Sequence, residues 1–476
     1  MLLRTRASAA LWLALSGCAD APFFSCDDDP QCQLAGAQGR CVDGECAYPD
    51  PACPSGLRFP AVARPAVAGT CVDPGGTGST STTGSTTTPP STSSGSGSGS
   101  GSTSVTTEAS SSSGGPIPST CAIDELAGGD AFTCARLDGG VWCWGANDGL
   151  QLGREGDGGP TPTQIAALAD LDVIHLSAGD DHACAVVEDG GVWCWGRQVN
   201  TEVVGSGNTV DLLPTLVPVT DVEAVAVGQN YTCAARGDDV RCWGDTFWGQ
   251  TGADAGAGFN TLPVRGPIRS IKAGTLHGCL QSSDDRLLCW GRDDQGQLGR
   301  GSPPDGQHRP TVEPGPPLIL TEAVDDYALG STLSCALVGG NTWCWGLEQT
   351  FELLGAGSSG TPVPLDGVPD AVELAAGDTF ACVRSDPGRI ACWGSNDFGQ
   401  SDPQNVDLTL GVADVSAALE AVTGETLRAT RLGTGAEHAC LATKDRVACW
   451  GRGDAGQLGD VPVTDAVAFV SLPGCG

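Results

Sequence analysis

From position 121 onward the apolar residues fall in short runs between glycine-rich turns, a rhythm that belongs to strands rather than helices. Val173-Ile174-His175-Leu176-Ser177-Ala178-Gly179 and Val222-Glu223-Ala224-Val225-Ala226-Val227-Gly228 are two such runs, each ending at glycine. Downstream of each run lies a pair of cysteines, the second inside a Cys-Trp-Gly tripeptide. A Gly-Gln-Leu-Gly turn follows, clearest at Gly296–Gly299 and Gly456–Gly459, and then a proline-introduced strand such as Pro214–Val219. Four short strands per unit make a propeller blade. The tripeptide recurs seven times, with its indoles at Trp144, Trp195, Trp243, Trp290, Trp345, Trp393 and Trp450, spaced 47 to 57 residues apart. Periods of that length indicate propellers or solenoids rather than independent domains.

The cysteine pairs are Cys134/Cys143, Cys184/Cys194, Cys233/Cys242, Cys279/Cys289, Cys335/Cys344, Cys382/Cys392 and Cys440/Cys449. Turn residues occupy the midpoint of each. Asp138-Gly139 is a two-residue hairpin signal, and counting outward from it sets Leu137 opposite Gly140 and Cys134 opposite Cys143. Glu188-Asp189-Gly190 and Asp386-Pro387-Gly388 suit three-residue turns with glycine in the left-handed position. Ser283-Asp284-Asp285 and Lys444-Asp445 lack glycine. This spacing fits no zinc site and does fit cross-strand disulfides. Because side chains alternate along a strand, each sulfur faces one side of its sheet and the neighbouring tryptophan the other. Both faces then need cover, which radially packed blades supply.

The composition extends this picture. The chain has 476 residues, 57 acidic against 24 basic side chains, a net charge of −33, 70 glycines, 31 prolines and 23 cysteines. That charge repels polyphosphate, so nucleic acid is not an expected partner. Arg4 and Arg6 precede a short apolar run that ends in Leu15-Ser16-Gly17-Cys18, similar to a bacterial lipoprotein signal box. That likeness implies cleavage after residue 17, lipid on Cys18 and a lipid-anchored, extracytoplasmic address at the outer membrane or cell surface of a Gram-negative bacterium. The membrane would be touched only through this lipid. Residues 18–25 form the lipidated N-terminal segment. Residues 26–73 hold Cys26, Cys32, Cys41, Cys46, Cys53 and Cys71, a disulfide-rich module whose connectivity the spacing leaves open. Residues 74–120 are Ser/Thr/Gly/Pro-rich, a flexible linker, either bare or O-glycosylated.

The order Ala-Gly-x-x-His-x-Cys, Asp-Gly, Cys-Trp-Gly-x-Asn/Asp, Gly-Gln-Leu-Gly resembles the repeat of the regulator of chromosome condensation family, and the resemblance covers residues 121–476. It implies an all-β, seven-bladed propeller with one hairpin disulfide per blade. Eukaryotic members exchange nucleotides on a small GTPase and bind chromatin, an activity not carried over to this acidic chain. Secreted bacterial propellers of the same superfamily are binding proteins, which favours reading the chain as one of them. Cys121 and Cys475 flank the ring and would latch its two ends together.

Candidate chemistry is sparse. His182, His277 and His438 share a slot that elsewhere holds Phe132, Tyr231, Leu333 and Phe380, so it is a packing slot. Asp148, Asp294, Asp397 and Asp454 precede the glycine turn and are expected to cap it. Asp27-Asp28-Asp29 reads as a solvated turn. No catalytic, metal or cofactor motif is found. Trp248 and Phe398 sit in the turn slot outside the core pattern and are the candidate partner-binding residues. The variable intervals place insertions around Gln307–Leu318 and Asn405–Thr426 on one loop face. The expected function is monomeric, non-enzymatic recognition of an unidentified protein or glycan. An extracellular hydrolase or lyase using face carboxylates is the alternative, and a passive envelope spacer the second.

Overall fold

The computed structural model describes residues 33–34, 37–38, 40–42, 45–49 and 57–58, and then 122–472 except 200, 206–209, 253–257, 302–309, 321, 348–358, 369, 406–410, 460–466 and 471. The chain divides into two units, Met1–Ala109 and Ser110–Gly476. In the first, Gln33–Leu34 pairs with Ala37–Gln38, while Arg40–Val42, Glu45–Pro49 and Leu57–Arg58 form a small antiparallel sheet that sets Cys41 opposite Cys46. Cys18, the linker and the other cysteines of this unit lie outside the described residues.

The second unit is an all-β, seven-bladed propeller. Its first blade runs from the axis outward as Ile123–Gly128, Phe132–Leu137, Gly140–Gly145 and Gly159–Gln164. The innermost strands of the other six are Val173–Ala178, Ala224–Val227, Ile268–Ala273, Asp326–Leu329, Ala371–Ala376 and Arg431–Thr434. The register expected from Asp138-Gly139 is observed: Leu137 pairs with Gly140 and Cys134 with Cys143. Both turn residues take positive φ, 50° and 74°, as a type I′ hairpin requires.

All seven expected cysteine pairs are disulfides. They are Cys134–Cys143, Cys184–Cys194, Cys233–Cys242, Cys279–Cys289, Cys335–Cys344, Cys382–Cys392 and Cys440–Cys449. Each joins directly opposed residues of the second and third strands of its blade, with Cα atoms 4.0–4.1 Å apart. The two hairpin lengths reach the same pairing. The loop around Glu188-Asp189-Gly190 still sets Cys184 opposite Cys194, and the glycine-free turn at Ser283-Asp284-Asp285 sets Cys279 opposite Cys289.

The core is seven separate layers, one per seam between blades. Cys143 packs towards the second blade, in one cluster with Trp195, while Trp144 packs the opposite way, in one cluster with Cys440 and Cys449 of the seventh. The same exchange repeats at every seam. Cys184 and Cys194 lie with Trp243, Cys233 and Cys242 with Trp290, and Cys279 and Cys289 with Trp345. Cys335 and Cys344 lie with Trp393, and Cys382 and Cys392 with Trp450. Each disulfide thus sits in the layer that holds the next blade's tryptophan. All seven indoles are fully buried. Each removes roughly 200 Å² from water, a gross gain of about 5 kcal/mol before ordering entropy is subtracted. A blade shows apolar side chains on both faces because neither face is its outside.

Ring closure follows the same rule. The seventh blade ends in its own outer strand, Ala468–Val470, paired with Val447–Gly451. No strand is shared between the first and last blades among the described residues. Cys121 and Cys475, expected to latch this junction, lie outside them.

The two expected insertions fall partly outside the described residues, at 307–309 and 406–410. The described part of the first contributes Pro310–Gly315, the outer strand of the fourth blade. Of residues 405–426, the described part from Ala413 to Thr423 lies along a blade edge rather than in a face loop. Blade six has three strands, and its outer edge is covered by a Cys392–Ala413 bridge and then helix α1 (Val415–Thr423). Ser416 Oγ accepts the Ile390 N–H at 2.7 Å, and Asp414 caps the helix by accepting from Ala417 N. Arg389 holds the helix through Asp414 (2.5 Å) and Glu420 (3.2 Å). A helix with polar anchors thus replaces an open strand edge.

Candidate functional site

The face onto which the innermost strands emerge is built by the Cys-Trp-Gly and Gly-Gln-Leu-Gly motifs acting together. In the glycine turn, the glutamine side chain folds back: Gln151 Oε1 accepts from Gly149 N, Gln250 from Trp248 N, Gln297 from Gln295 N, Gln400 from Phe398 N and Gln457 from Ala455 N. Its backbone carbonyl then accepts the next blade's indole. Trp195 donates to Gln151, Trp290 to Gln250, Trp345 to Gln297, Trp450 to Gln400 and Trp144 to Gln457, all at 2.8–2.9 Å. The two motifs therefore form one interblade bond, and it fixes each turn relative to the neighbouring blade.

The expected capping role of the turn aspartates is corrected. Backbone capping comes from that glutamine and from the residue before the aspartate, as when Asn147 Oδ1 accepts Leu152 N and Asp293 Oδ1 accepts Leu298 N. The aspartates hold side chains instead. Asp148 takes Arg197, Asp294 and Asp454 take bidentate bonds from Arg292 and Arg452, and Asp397 accepts from Ser395 Oγ.

At the axis, every innermost strand is followed directly by a glycine: Gly129, Gly179, Gly228, Gly274, Gly330, Gly377 and Gly435. Seven strands converge here, and the next blade's backbone takes the space a side chain would fill. A Cβ on Gly179 would lie 2.0 Å from Gly228 O, and one on Gly330 would lie 2.2 Å from Gly377 O. The residues that follow form a hydrogen-bonded circle. Asp130 N donates to Asp180 O, Gln229 N to Thr275 O, Thr275 N to Gly330 O, Ser331 N to Asp378 O, Asp378 N to Ala436 O and Ala436 N to Gly129 O. Between blades two and three the Gln229 side chain donates to Asp180 Oδ2 at 2.7 Å.

This circle frames an axial channel of about 630 Å³. Three carboxylates, Asp130, Asp180 and Asp378, stand around its mouth. Burial, reinforced by Asp378 and Asp130, pushes Asp180 up to about 7. Burial also raises Asp378, against the Thr275 hydroxyl bond, and raises Asp130, against the pull of Arg452. Deeper in the channel the ionisable groups bind backbone. Glu125 accepts Leu176 N at 2.9 Å and pairs with Arg136, while Asp326 accepts Leu374 N at 2.7 Å and pairs with Lys272 at 2.7 Å. Glu373 pairs with Arg384 at 2.6 Å. His175 Nε2 stands 3.6 Å from Glu125, and burial lowers its pKa. Among the described residues no group of three or more His, Cys, Asp or Glu is placed to hold a metal ion. No described helix is long and apolar enough to cross a membrane.

The sequence-selected aromatics lie on this same face, half-buried. The Arg292 guanidinium stands 4.8 Å from the Trp248 ring centre, and that of Arg452 stands 5.4 Å from Phe398. Phe247, which the sequence reading passed over, is 63% exposed and meets Trp248 edge-on at 5.3 Å. Its adjacency to Trp248 in a turn was the available signal. Arg452 also bonds Glu437 (2.8 Å), next to Ala436 of the circle, so the turns and the channel mouth form one surface. The disulfide cysteines stand apart from this surface. Cys194, Cys242, Cys289 and Cys344, like the other sulfur-bearing residues of the blades, are fully buried between sheets and serve the scaffold alone.

These features define a propeller scaffold of the regulator of chromosome condensation type, suited to partner recognition. Sequence profiles described as "Regulator of chromosome condensation (RCC1) repeat" match residues 138–186 and 284–337, and also 173–201 and 371–400. The chain is similar to the human E3 ubiquitin-protein ligase HERC2, 27% identical over 344 residues and 68% of this chain, although it spans only 7% of that protein. It is also similar to the ultraviolet-B receptor UVR8 of Arabidopsis thaliana, 25% identical over 70% of this chain and 78% of the receptor. The crystal structure of human WBSCR16 matches with TM-score 0.60 at 18% identity, covering 70% of this chain and 94% of that one, a likeness of fold alone.

The expectation of a secreted bacterial protein, lipid-anchored at a Gram-negative outer membrane, is corrected by these relatives. Those named are human, mouse, yeast and plant proteins. That expectation rested on the N-terminal segment and the cysteine count. The similarity runs through the propeller repeats, where seven disulfides are accounted for by the blades.

Proposed function

We propose that the propeller recognises a protein partner at the face carrying the channel mouth, without catalysing a reaction on it. The supporting observation is the pair of stacked aromatic–guanidinium contacts, Trp248 with Arg292 and Phe398 with Arg452, flanked by exposed Phe247. Aromatic and arginine side chains dominate the energetic centres of protein interfaces. Here they are held rigidly by turns that are bonded to the next blade, which lowers the ordering cost of binding. The carboxylates of the mouth favour a partner surface bearing cationic side chains. In the channel, Glu125, Asp326 and Glu373 are each engaged by an arginine or lysine, and the first two also by a backbone N–H, which supports a positioning role over chemistry.

The test immobilises the full chain, identifies retained proteins by mass spectrometry and measures affinity for the main one. Trp248→Ala/Phe398→Ala is expected to lose at least about tenfold in affinity. Leu216→Ala, at an exposed outer-strand position, is expected to bind normally. If the aromatic variant keeps its affinity while the outer-strand variant loses it, this assignment of the binding face is wrong.

A further inference from the structure

The slot shared by His182, His277 and His438 has a counterpart in the following blade, and the two vary together. His182 Nε2 lies 2.9 Å from Thr232 Oγ1, His277 Nε2 lies 2.8 Å from Ser334 Oγ, and His438 Nε2 lies 2.8 Å from Thr133 Oγ1. Where the slot holds another residue, the counterpart is small and carries no hydroxyl. Phe132 is followed by Ala183, Tyr231 by Gly278, Leu333 by Ala381 and Phe380 by Ala439. The pairs Phe132/Ala183, Leu333/Ala381 and Phe380/Ala439 each fall within a single seam layer. Tyr231 instead sends its own hydroxyl across the seam to His277 O (2.6 Å) and Gly274 O (3.1 Å).

The hydroxyls are not free to donate to the rings. Thr232 donates to Glu202 O at 2.7 Å, Ser334 to Gln297 O at 2.8 Å and Thr133 to Gln457 O at 2.9 Å. Each hydroxyl proton is therefore spent on a carbonyl of the preceding blade's turn, and its lone pair must accept from the imidazole. All three rings are fully buried, and their Nδ1 atoms have no partner among the described residues. This combination requires the neutral Nε2–H tautomer.

We infer that the slot and its counterpart form a two-letter seating code, in which a histidine blade accepts only a hydroxyl-bearing successor and an apolar or tyrosine blade only a small one. The histidine relays run from ring to hydroxyl to turn carbonyl, so they fix both the order of neighbouring blades and the turns of the face described above. The code also operates at ring closure, where His438 of the last blade meets Thr133 of the first.

A mismatch leaves a buried N–H unpaired or forces a larger ring against a branched side chain. The experiment compares thermal unfolding of the full chain with that of three variants at the closing seam. Thr133→Ala and His438→Phe are each expected to lower the midpoint by about 2 °C or more. His438→Phe/Thr133→Ala rewrites the seam in the Phe380/Ala439 form and is expected to return to within about 1 °C of the parent. A double variant that falls by the sum of the two single losses, or that does not fold, overturns the code. Nitrogen-15 spectra of labelled histidine in the unaltered protein give an independent reading. Three Nε2–H rings are expected, and an Nδ1–H tautomer at these sites overturns the relay.

Discussion

Trp144 Nε1 donates to Gln457 O at 2.8 Å, joining residues 313 positions apart in the chain. This bond between first and last blades has the same form as those made by Trp195, Trp290, Trp345 and Trp450 at four other seams. Its loss can be compared with a tryptophan that lacks it: Trp243 Nε1 has no partner among the described residues. Trp144→Phe and Trp243→Phe remove similar volume, so the difference isolates the hydrogen bond. Trp144→Phe is expected to cost about 1–2 kcal/mol more in urea unfolding. Equal losses would show that the indole bond adds nothing to seam stability.

The glycine circle can be tested by adding one methyl group. Gly179→Ala places a Cβ 2.0 Å from a backbone oxygen that cannot move without disturbing the whole circle. A loss of about 2 kcal/mol or more is expected. Gly159→Ala, where nothing lies within 4 Å, is the matched control and should unfold close to the parent. Similar midpoints for the two variants would mean that the axis is looser than described.

Each disulfide closes a loop of nine or ten residues between directly opposed strands. Loop-closure entropy assigns about 2–3 kcal/mol to a bridge of that size. Replacing both Cys382 and Cys392 with alanine should therefore lower stability by that order. Peptide mapping without reductant should recover only within-blade pairs from the propeller, such as Cys233 with Cys242 and Cys335 with Cys344. A bridge between blades would contradict the hairpin assignment.

Asp180 gives the pH dependence a definite sign. Its folded pKa, pushed up to about 7, exceeds the ordinary 3.8, so the folded state holds the proton more tightly. The associated stability is complete below about pH 4 and is lost as pH rises towards 7, at up to about 1.4 kcal/mol per unit. Asp180→Asn removes this slope, so its stability relative to the parent should rise between pH 5 and pH 7.5. A constant difference across that range would contradict the assigned shift.

The buried histidines act with the opposite sign. Burial lowers His182 and His277 to about 3 and His438 to about 4, against 6.5 ordinarily. Their stabilising contribution is full above about pH 6.5 and is lost as pH falls towards those values, because the unfolded chain takes up protons that the folded one refuses. Rewriting one seam as His182→Phe/Thr232→Ala should make acid unfolding less steep. An unchanged acid limb would show that His182 does not supply that slope.

How far the sequence reading reached depended on how local each interaction is. The Asp138-Gly139 hairpin and the Cys134–Cys143 bridge lie within ten residues, and turn chemistry alone placed both. The alternation of Cys143 with Trp144 correctly announced a sheet covered on both sides. The indole-to-glutamine bonds and the histidine–hydroxyl relays were not foreseen, because the partners belong to different repeats; the tryptophans, the glycine turns and the histidines were noticed, but not the hydroxyls of Thr133, Thr232 and Ser334. The interval length misled at Val415–Thr423, since an insertion counted along the chain does not reveal that α1 lies along a blade edge rather than on the loop face. The convergence of Asp130, Asp180 and Asp378 was hidden in a chain with 57 acidic residues.

The first and last blades share no strand among the described residues and meet through a seam of the same kind as the other six. A rearranged gene that opened the polypeptide between two other blades and fused the present boundary would leave all seven contacts as they are. The ring has a starting point in translation but none in its mechanics, so permuted versions should form the same wheel.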